Sequence, residues 1–194
     1  MKVVIIKYNA GNVVSVTNTL NRLGIEPIVS DDPELIKGAD KVIFPGVGEA
    51  STAMEYLESR QLDKLITTLK QPFLGICLGQ QLMCRYSEEN DTKCLGIFDL
   101  DVIKFKPVLK VPHMGWNKLI DTQGPLFKDM PEDSFIYFVH SYYCQVGADT
   151  IAKSDYINQF SAALHKDNYY AIQGHPEKSG QTGKKFLENF LNRV

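Results

Sequence analysis

Short apolar runs that alternate with segments of helical spacing constrain this chain more than any other feature. Lys2 to Lys7 is a nearly continuous β-branched run, the kind that suits a strand covered on both faces. Val16, Leu20 and Leu23 then recur at i, i+4, i+7 until Gly24, as in an amphipathic helix with a glycine stop. The alternation continues through a strand near Pro27 to Ser30, a short helix around Pro33 to Lys37, and an apolar strand Lys41 to Phe44 that ends in Pro45-Gly46-Val47-Gly48. A helical stretch carrying Met54, Leu57, Leu62, Leu65, Ile66 and Leu69 follows, and then a strand Phe73 to Ile76. This order predicts an α/β fold with a largely parallel central sheet flanked by helices and with ligand sites at the carboxyl ends of the strands. The loop at Pro45 and the turn at Cys77 should therefore meet.

From about Asp99 the pattern shifts to shorter β-like pieces, Asp101 to Phe105, Trp116 to Ile120 and Phe135 to Val139, which predict an antiparallel extension in the C-terminal half. Gly183 to Val194 reads as a core-facing terminal helix through Phe186, Leu187, Phe190, Leu191 and Val194. At 194 residues the chain suits one domain, 1–194. No internal repeat, low-complexity tract or linker interrupts it.

Charge and cysteine usage narrow the function classes. A formal net charge of -2 gives no basic footprint for nucleic acid. No apolar run reaches bilayer length and the first apolar stretch is too short for a signal peptide, so a cytoplasmic protein is expected. Cys77, Cys84, Cys94 and Cys144 are irregularly spaced and form no CxxC pair, and the four histidines are scattered. They read as thiols, with neither a disulfide framework nor a metal site, and no cofactor is expected.

Gly75-Ile76-Cys77-Leu78-Gly79 has the small-x-nucleophile-x-small form of a nucleophile elbow, placed between an apolar strand and a helical stretch. Glycines on either side relieve crowding where the chain reverses, and the thiol is presented where a helix begins, which favours the attacking thiolate. A lone cysteine is more often a buried small hydrophobe; strand, paired glycines and helix together make the nucleophile the better reading. His175-Pro176-Glu177 supplies a partner. Proline biases the residue before it toward extended geometry, so an imidazole and a carboxylate should project from one side of an extended segment, with Glu177 orienting His175 as general base and acid. His165, His113 and His140 lack such a neighbouring carboxylate. The backbone N–H of Leu78, with Val47 or Gly48 from the Pro45 loop, can form an oxyanion hole.

The combination of PGVG at 45–48, GICLGQQ at 75–81 and HPEKS at 175–179 resembles the class I (triad) glutamine amidotransferases, whose fold is flavodoxin-like. More narrowly, YNAGN at 8–12, VPHMGWN at 111–117 and YFVHSYY at 137–143 are similar to the HisH subunits of imidazole glycerol phosphate synthase, and the likeness covers nearly the whole chain. The resemblance implies hydrolysis of glutamine through a thioester on Cys77, with ammonia passed to a (β/α)-barrel cyclase of HisF type in a heterodimer. It implies that Gly48, Gln81, Glu89, His140, Ser141 and Tyr142 bind glutamine, and that Asn12, Trp116, Tyr137 and Lys178 face the cyclase.

Two departures stand out. Gly174 replaces the aromatic residue usual before the triad histidine, which predicts looser packing of His175 and a sluggish or partner-dependent triad; and Glu49-Ala50-Ser51 lacks the aromatic often found after PGVG. Three rival readings are an amidotransferase serving another synthase, such as one aminating a sugar for surface polysaccharide, a catalytically silent docking subunit, and a cysteine peptidase or other α/β hydrolase.

Overall fold

The computed structural model describes residues 1–9 and 11–194; Ala10, in the YNAGN segment, lies outside the described residues. Its centre is a seven-stranded sheet in the order β11-β12-β13-β4-β3-β1-β2. The strands are β1 (Val3–Ile6), β2 (Ile28–Ser30), β3 (Lys41–Gly46), β4 (Phe73–Cys77), β11 (Thr150–Asp155), β12 (Gln159–Lys166) and β13 (Tyr169–Ile172). From β2 through β13 the neighbours run parallel, and β12 and β11 close the far edge antiparallel. Successive residues of β1 enter opposite cores: Val4 and Ile6 pack with Phe44, Leu57 and Phe73, while Val3 and Ile5 pack with Leu20, Phe160 and Phe186. That explains why the run carries no polar alternation, since a parallel strand with helices on both sides has no face for water.

The helices are α1 (Val13–Arg22), α2 (Pro33–Lys37), α3 (Ala50–Ser59), α4 (Leu62–Ile66), α5 (Leu78–Met83) and α6 (Gly180–Arg193). The stretch from Met54 to Leu69, expected as one helical unit, is broken at Gln61, whose φ of 57° is left-handed. The terminal helix begins three residues earlier than its apolar spacing indicates, and buries Phe186, Leu187, Phe190 and Leu191.

The β-like pieces between 101 and 139 do form strands, but outside the central sheet. β7 (Asp101–Lys104) joins β5 (Tyr86–Ser87), β6 (Thr92–Lys93) and β10 (Tyr142–Cys144), while β8 (His113–Lys118) and β9 (Phe135–His140) form a two-stranded ribbon. The antiparallel edge of the central sheet comes instead from residues 150–166. Its strand β12, with small Ser161, Ala162 and Ala163 buried one after another, shows none of the period-two patterning that marks a half-exposed strand.

Candidate active site

β3 and β4 run side by side and stop together, with Gly46 paired to Cys77 in the last register position. Cys77 then turns the chain directly into α5 at φ 55° and ψ -109°, a strained conformation for a side chain other than glycine. The elbow glycines serve close approach. A Cβ on Gly79 would overlap the carbonyl oxygen of Phe44, and one on Gly75 would stand 2.5 Å from Met83 Sδ and 2.9 Å from the Gly79 carbonyl carbon. With hydrogens there, α5 lies flat against β3 and β4 and Cys77 alone takes the strain.

His175 and Glu177 lie beside this turn with side chains 1% exposed, and His175 Nδ1–H donates to Glu177 Oε1 at 2.8 Å. The local geometry corrects one expectation. His175, at φ -106° and ψ 89°, stays out of the helical region as the following proline favours but is not fully extended, and Pro176–Lys178 is a 3-10 turn that folds the carboxylate back onto the ring. Among the described residues Nε2 of His175 has no hydrogen-bond partner, which leaves it open to exchange a proton. Burial pushes the His175 imidazole down, but negative charge at Cys77 and the Glu177 carboxylate outweigh this and hold it up to about 10. The site thus favours an imidazolium.

Gly174 does not loosen this arrangement. A Cβ there would meet three side-chain carbons of Ile136 at 2.9–3.2 Å, so Ile136 of β9 already fills the space that an aromatic residue would need. The next peptide is pinned as well, His175 N–H donating to the Tyr137 carbonyl at 2.8 Å.

The Pro45 loop is braced from the first strand's exit. Tyr8 OH donates to the Pro45 carbonyl at 2.5 Å and Gly11 N–H donates to the Val47 carbonyl at 3.0 Å. Because the peptide is trans, the Gly48 N–H points to the side opposite Gly11. Gly48 itself has φ 134°, open to glycine and costly to other residues.

In front of the thiol is a cleft of about 300 Å³, lined by Val47, Gly48, Leu78, Gln81, Glu89 and the 139–142 corner where β9 passes into β10. Every residue expected to hold substrate therefore borders one cavity with Cys77. Their side chains are differently committed. Gln81 donates both amide hydrogens, to the Tyr142 carbonyl at 2.9 Å and to Gln173 Oε1 at 3.0 Å, so its own oxygen is the group left for a ligand. Glu89 accepts the N–H of Ala50 at 2.8 Å through one carboxylate oxygen, and burial raises its pKa.

His140 has no free ring nitrogen: Nδ1–H donates to the Tyr142 carbonyl at 2.7 Å, and Nε2 faces His113 Nδ1 at 3.2 Å. Burial keeps both rings neutral, with pKa values lowered to about 3 for His140 and about 4 for His113. His140 therefore accepts at Nε2 from His113, and its part in the cleft is to fix the corner.

Trp116 and Tyr137 are register partners on the β8–β9 ribbon with ring centroids 6.1 Å apart, and Trp116 is 55% exposed. Asn12 is half-buried and Lys178 exposed. Neither aromatic belongs to the core, and Tyr137 adjoins the triad, since its N–H donates to Ser179 Oγ and its carbonyl receives His175 N–H. Two residues of the site are given no role by sequence: Gln173, two before His175, whose Nε2 is 3.7 Å from Cys77 Sγ, and His113 of the VPHMGWN segment. No group of His, Cys, Asp and Glu suited to a metal occurs among the described residues.

Comparison with known proteins agrees with this geometry. The family model described as glutamine amidotransferase class-I matches residues 4–194. The chain is 58% identical to the imidazole glycerol phosphate synthase subunit HisH of Bacteroides fragilis, over 98% of this chain and 99% of that one. It is 46% identical to the subunit of the same name from Vibrio parahaemolyticus, over 98% and 97%. A crystal structure of a glutamine amidotransferase superposes with a TM-score of 0.75 at 17% identity, covering 96% of this chain and 98% of that one, which shows the shared fold. The chain belongs to the class I glutamine amidotransferases and, within them, to the HisH subunits of imidazole glycerol phosphate synthase.

Proposed function

We propose that this chain hydrolyses glutamine to glutamate at Cys77 and delivers the ammonia to a HisF-type (β/α)-barrel cyclase, for imidazole glycerol phosphate formation in histidine biosynthesis. The observation that carries the reading is the thiol on a strained elbow in the wall of a cleft, beside a buried imidazole that a carboxylate holds at 2.8 Å. The Cys77 thiolate attacks the side-chain carbonyl carbon of glutamine. Charge that builds on the carbonyl oxygen is met by the N–H of Leu78 and by an N–H of the Val47-Gly48 loop. His175, protonated and steadied by Glu177, gives its proton from Nε2 to the departing nitrogen, and ammonia leaves a thioester on Cys77. The same imidazole, now neutral, takes a proton from water as water attacks the thioester, and glutamate is released. Only nucleophile, acid–base and water are used, so the chemistry needs no cofactor.

Gly48, Gln81, Glu89, Ser141 and Tyr142 suit the amino-acid end of glutamine: the Gln81 oxygen accepts from an ammonium, and a carboxylate beside it adds charge. The cyclase would cover the ribbon on which Met114, Trp116 and Phe135 stand 46–61% exposed, with Asn12, Tyr137 and Lys178 at its margin. Docking there bears directly on the triad through the Tyr137–His175 backbone bond. The reaction belongs in the cytoplasm, where thiols stay reduced.

The test is glutamate release by the purified chain, alone and with the cyclase and its nucleotide ligand. Hydrolysis that appears or rises strongly with the partner, and that Cys77→Ala abolishes while complex formation persists, is expected. Turnover retained by Cys77→Ala would refute the nucleophile, and equal rates with and without the cyclase would refute the assigned partner.

A further inference from the structure

We propose that Gln173 is a further catalytic residue, whose carboxamide donates a hydrogen bond to the sulfur of Cys77 and ties that sulfur to Gln81 on the wall of the glutamine cleft. The inference rests on the Cys77 reading above and adds a group to it. Gln173 Nε2 stands 3.7 Å from Cys77 Sγ, and Oε1 of the same amide accepts Gln81 Nε2 at 3.0 Å. The side chain is fully buried, so water does not compete for either end.

Which end of the Gln173 amide meets the sulfur is decided by its neighbours. The carbonyl of Tyr142 belongs to the backbone of β10 and can only accept; it receives both His140 Nδ1–H and Gln81 Nε2–H. Gln81 must therefore turn its nitrogen inward, and its second N–H must find another acceptor, which is Gln173 Oε1. Reversing Gln173 would set two buried NH₂ groups against each other and aim a carbonyl oxygen at the sulfur. The order backbone carbonyl, Gln81, Gln173, sulfur thus has one consistent direction of donation, and it ends in an N–H directed at Cys77. The chain path supports the same placement. Gln173 continues past β13 with its N–H on the Ala162 carbonyl at 2.8 Å; the chain then bends through Gly174, which faces Ile136, and reaches His175 two residues on. One short segment thereby delivers the acid–base group and a sulfur donor together.

A hydrogen bond donated to sulfur favours the thiolate over the thiol, since an anion accepts more strongly. The amide also joins the nucleophile to Gln81, which lines the cleft with its oxygen uncommitted, so a glutamine held at Gln81 would order the donor at the reacting atom.

The readout is the pH dependence of Cys77 alkylation by iodoacetamide, followed by mass on the Cys77 peptide of the intact chain. Gln173→Met keeps the volume and loses the donor. Gln173→Asn keeps the amide but draws it back by about 1.5 Å, one carbon–carbon bond. Gln80→Met is the control, because Gln80 is an equally buried glutamine whose amide bonds the Ser161 carbonyl and does not meet the sulfur. We expect the alkylation midpoint of both Gln173 variants to rise by about one pH unit, a roughly tenfold slower reaction below it, with the Gln80 variant close to wild type. An unshifted midpoint in either Gln173 variant that retains native circular dichroism overturns the inference, as does an equal shift in Gln80→Met. Wild-type Cys77 titrating as an ordinary thiol would overturn the triad and this inference together.

Discussion

Replacing Glu177 by glutamine tests how much of the site's chemistry rests on one buried charge. Glu177 Oε1 accepts from His175 Nδ1 at 2.8 Å with both side chains 1% exposed, so the charge centres are about 4 Å apart and little solvent screens them. At an effective dielectric of about 20, two unit charges at that distance attract by about 4 kcal/mol, which is close to three decades in an equilibrium or a rate. Glutamine is nearly isosteric and can still present an oxygen to Nδ1–H, so part of this is kept as a neutral hydrogen bond. The reversed amide would hold the ring in the wrong tautomer.

The second carboxylate oxygen has no partner among the described residues, so the amide NH₂ placed there is a buried donor without an acceptor, and the fold should lose about 1–3 kcal/mol. The expected result is a kcat for glutamate release in the cyclase complex lowered by about 10²- to 10³-fold with KM changed little, because Glu177 does not border the cleft. In the isolated chain, Cys77 alkylation should shift to higher pH as the imidazolium loses its partner. A variant with native circular dichroism, kcat within about threefold of wild type and an unmoved alkylation profile would show that Glu177 neither orients nor charges His175.

Two further predictions follow from the packing. Gly174→Phe should lower stability by about 2 kcal/mol in urea unfolding, since its side chain must displace Ile136, and Ile136→Ala in the same chain should recover part of that loss; a stabilised single variant would mean that the glycine does leave a void. The pair His113 and His140, with folded pKa values lowered to about 4 and about 3, refuses protons that the unfolded chain accepts near 6.5. Stability should therefore be fully present above pH 6.5 and fall as pH drops below it, by about 2 kcal/mol for each ring at pH 5. His175, raised to about 10, acts in the other window: its contribution is complete below 6.5 and is lost as pH climbs through 10. Urea unfolding of His113→Gln between pH 7 and 5 should show about half the wild-type slope, and an unchanged slope would remove the pair from the account.

What could be recognised from sequence separates from what could not along a physical line, the range over which a residue's role is determined. The elbow is decided within five residues, because only a strand entering, small residues flanking and a helix leaving let Cys77 stand at positive φ; the motif carries its own geometry. His175 and Glu177 are two apart, so their partnership was legible, although the mode of approach was not: proline was read for its effect on the residue before it, and the 3-10 turn after it is what closes the pair. Gly174 reads as missing packing in sequence because the side chain that fills its space, Ile136 of β9, lies 38 residues away. The roles of Gln173 and His113, and the edge strand β12, depend on distant partners: the sequence places the two residues in or beside motifs but does not say what they touch. Gln173 illustrates this most fully. Its amide acquires a direction only because Gln81, 92 residues away, is itself oriented by a carbonyl on β10. Hydrogen-bond polarity is thus passed from backbone to reacting atom through three-dimensional neighbours, and no local pattern of residues could have announced it.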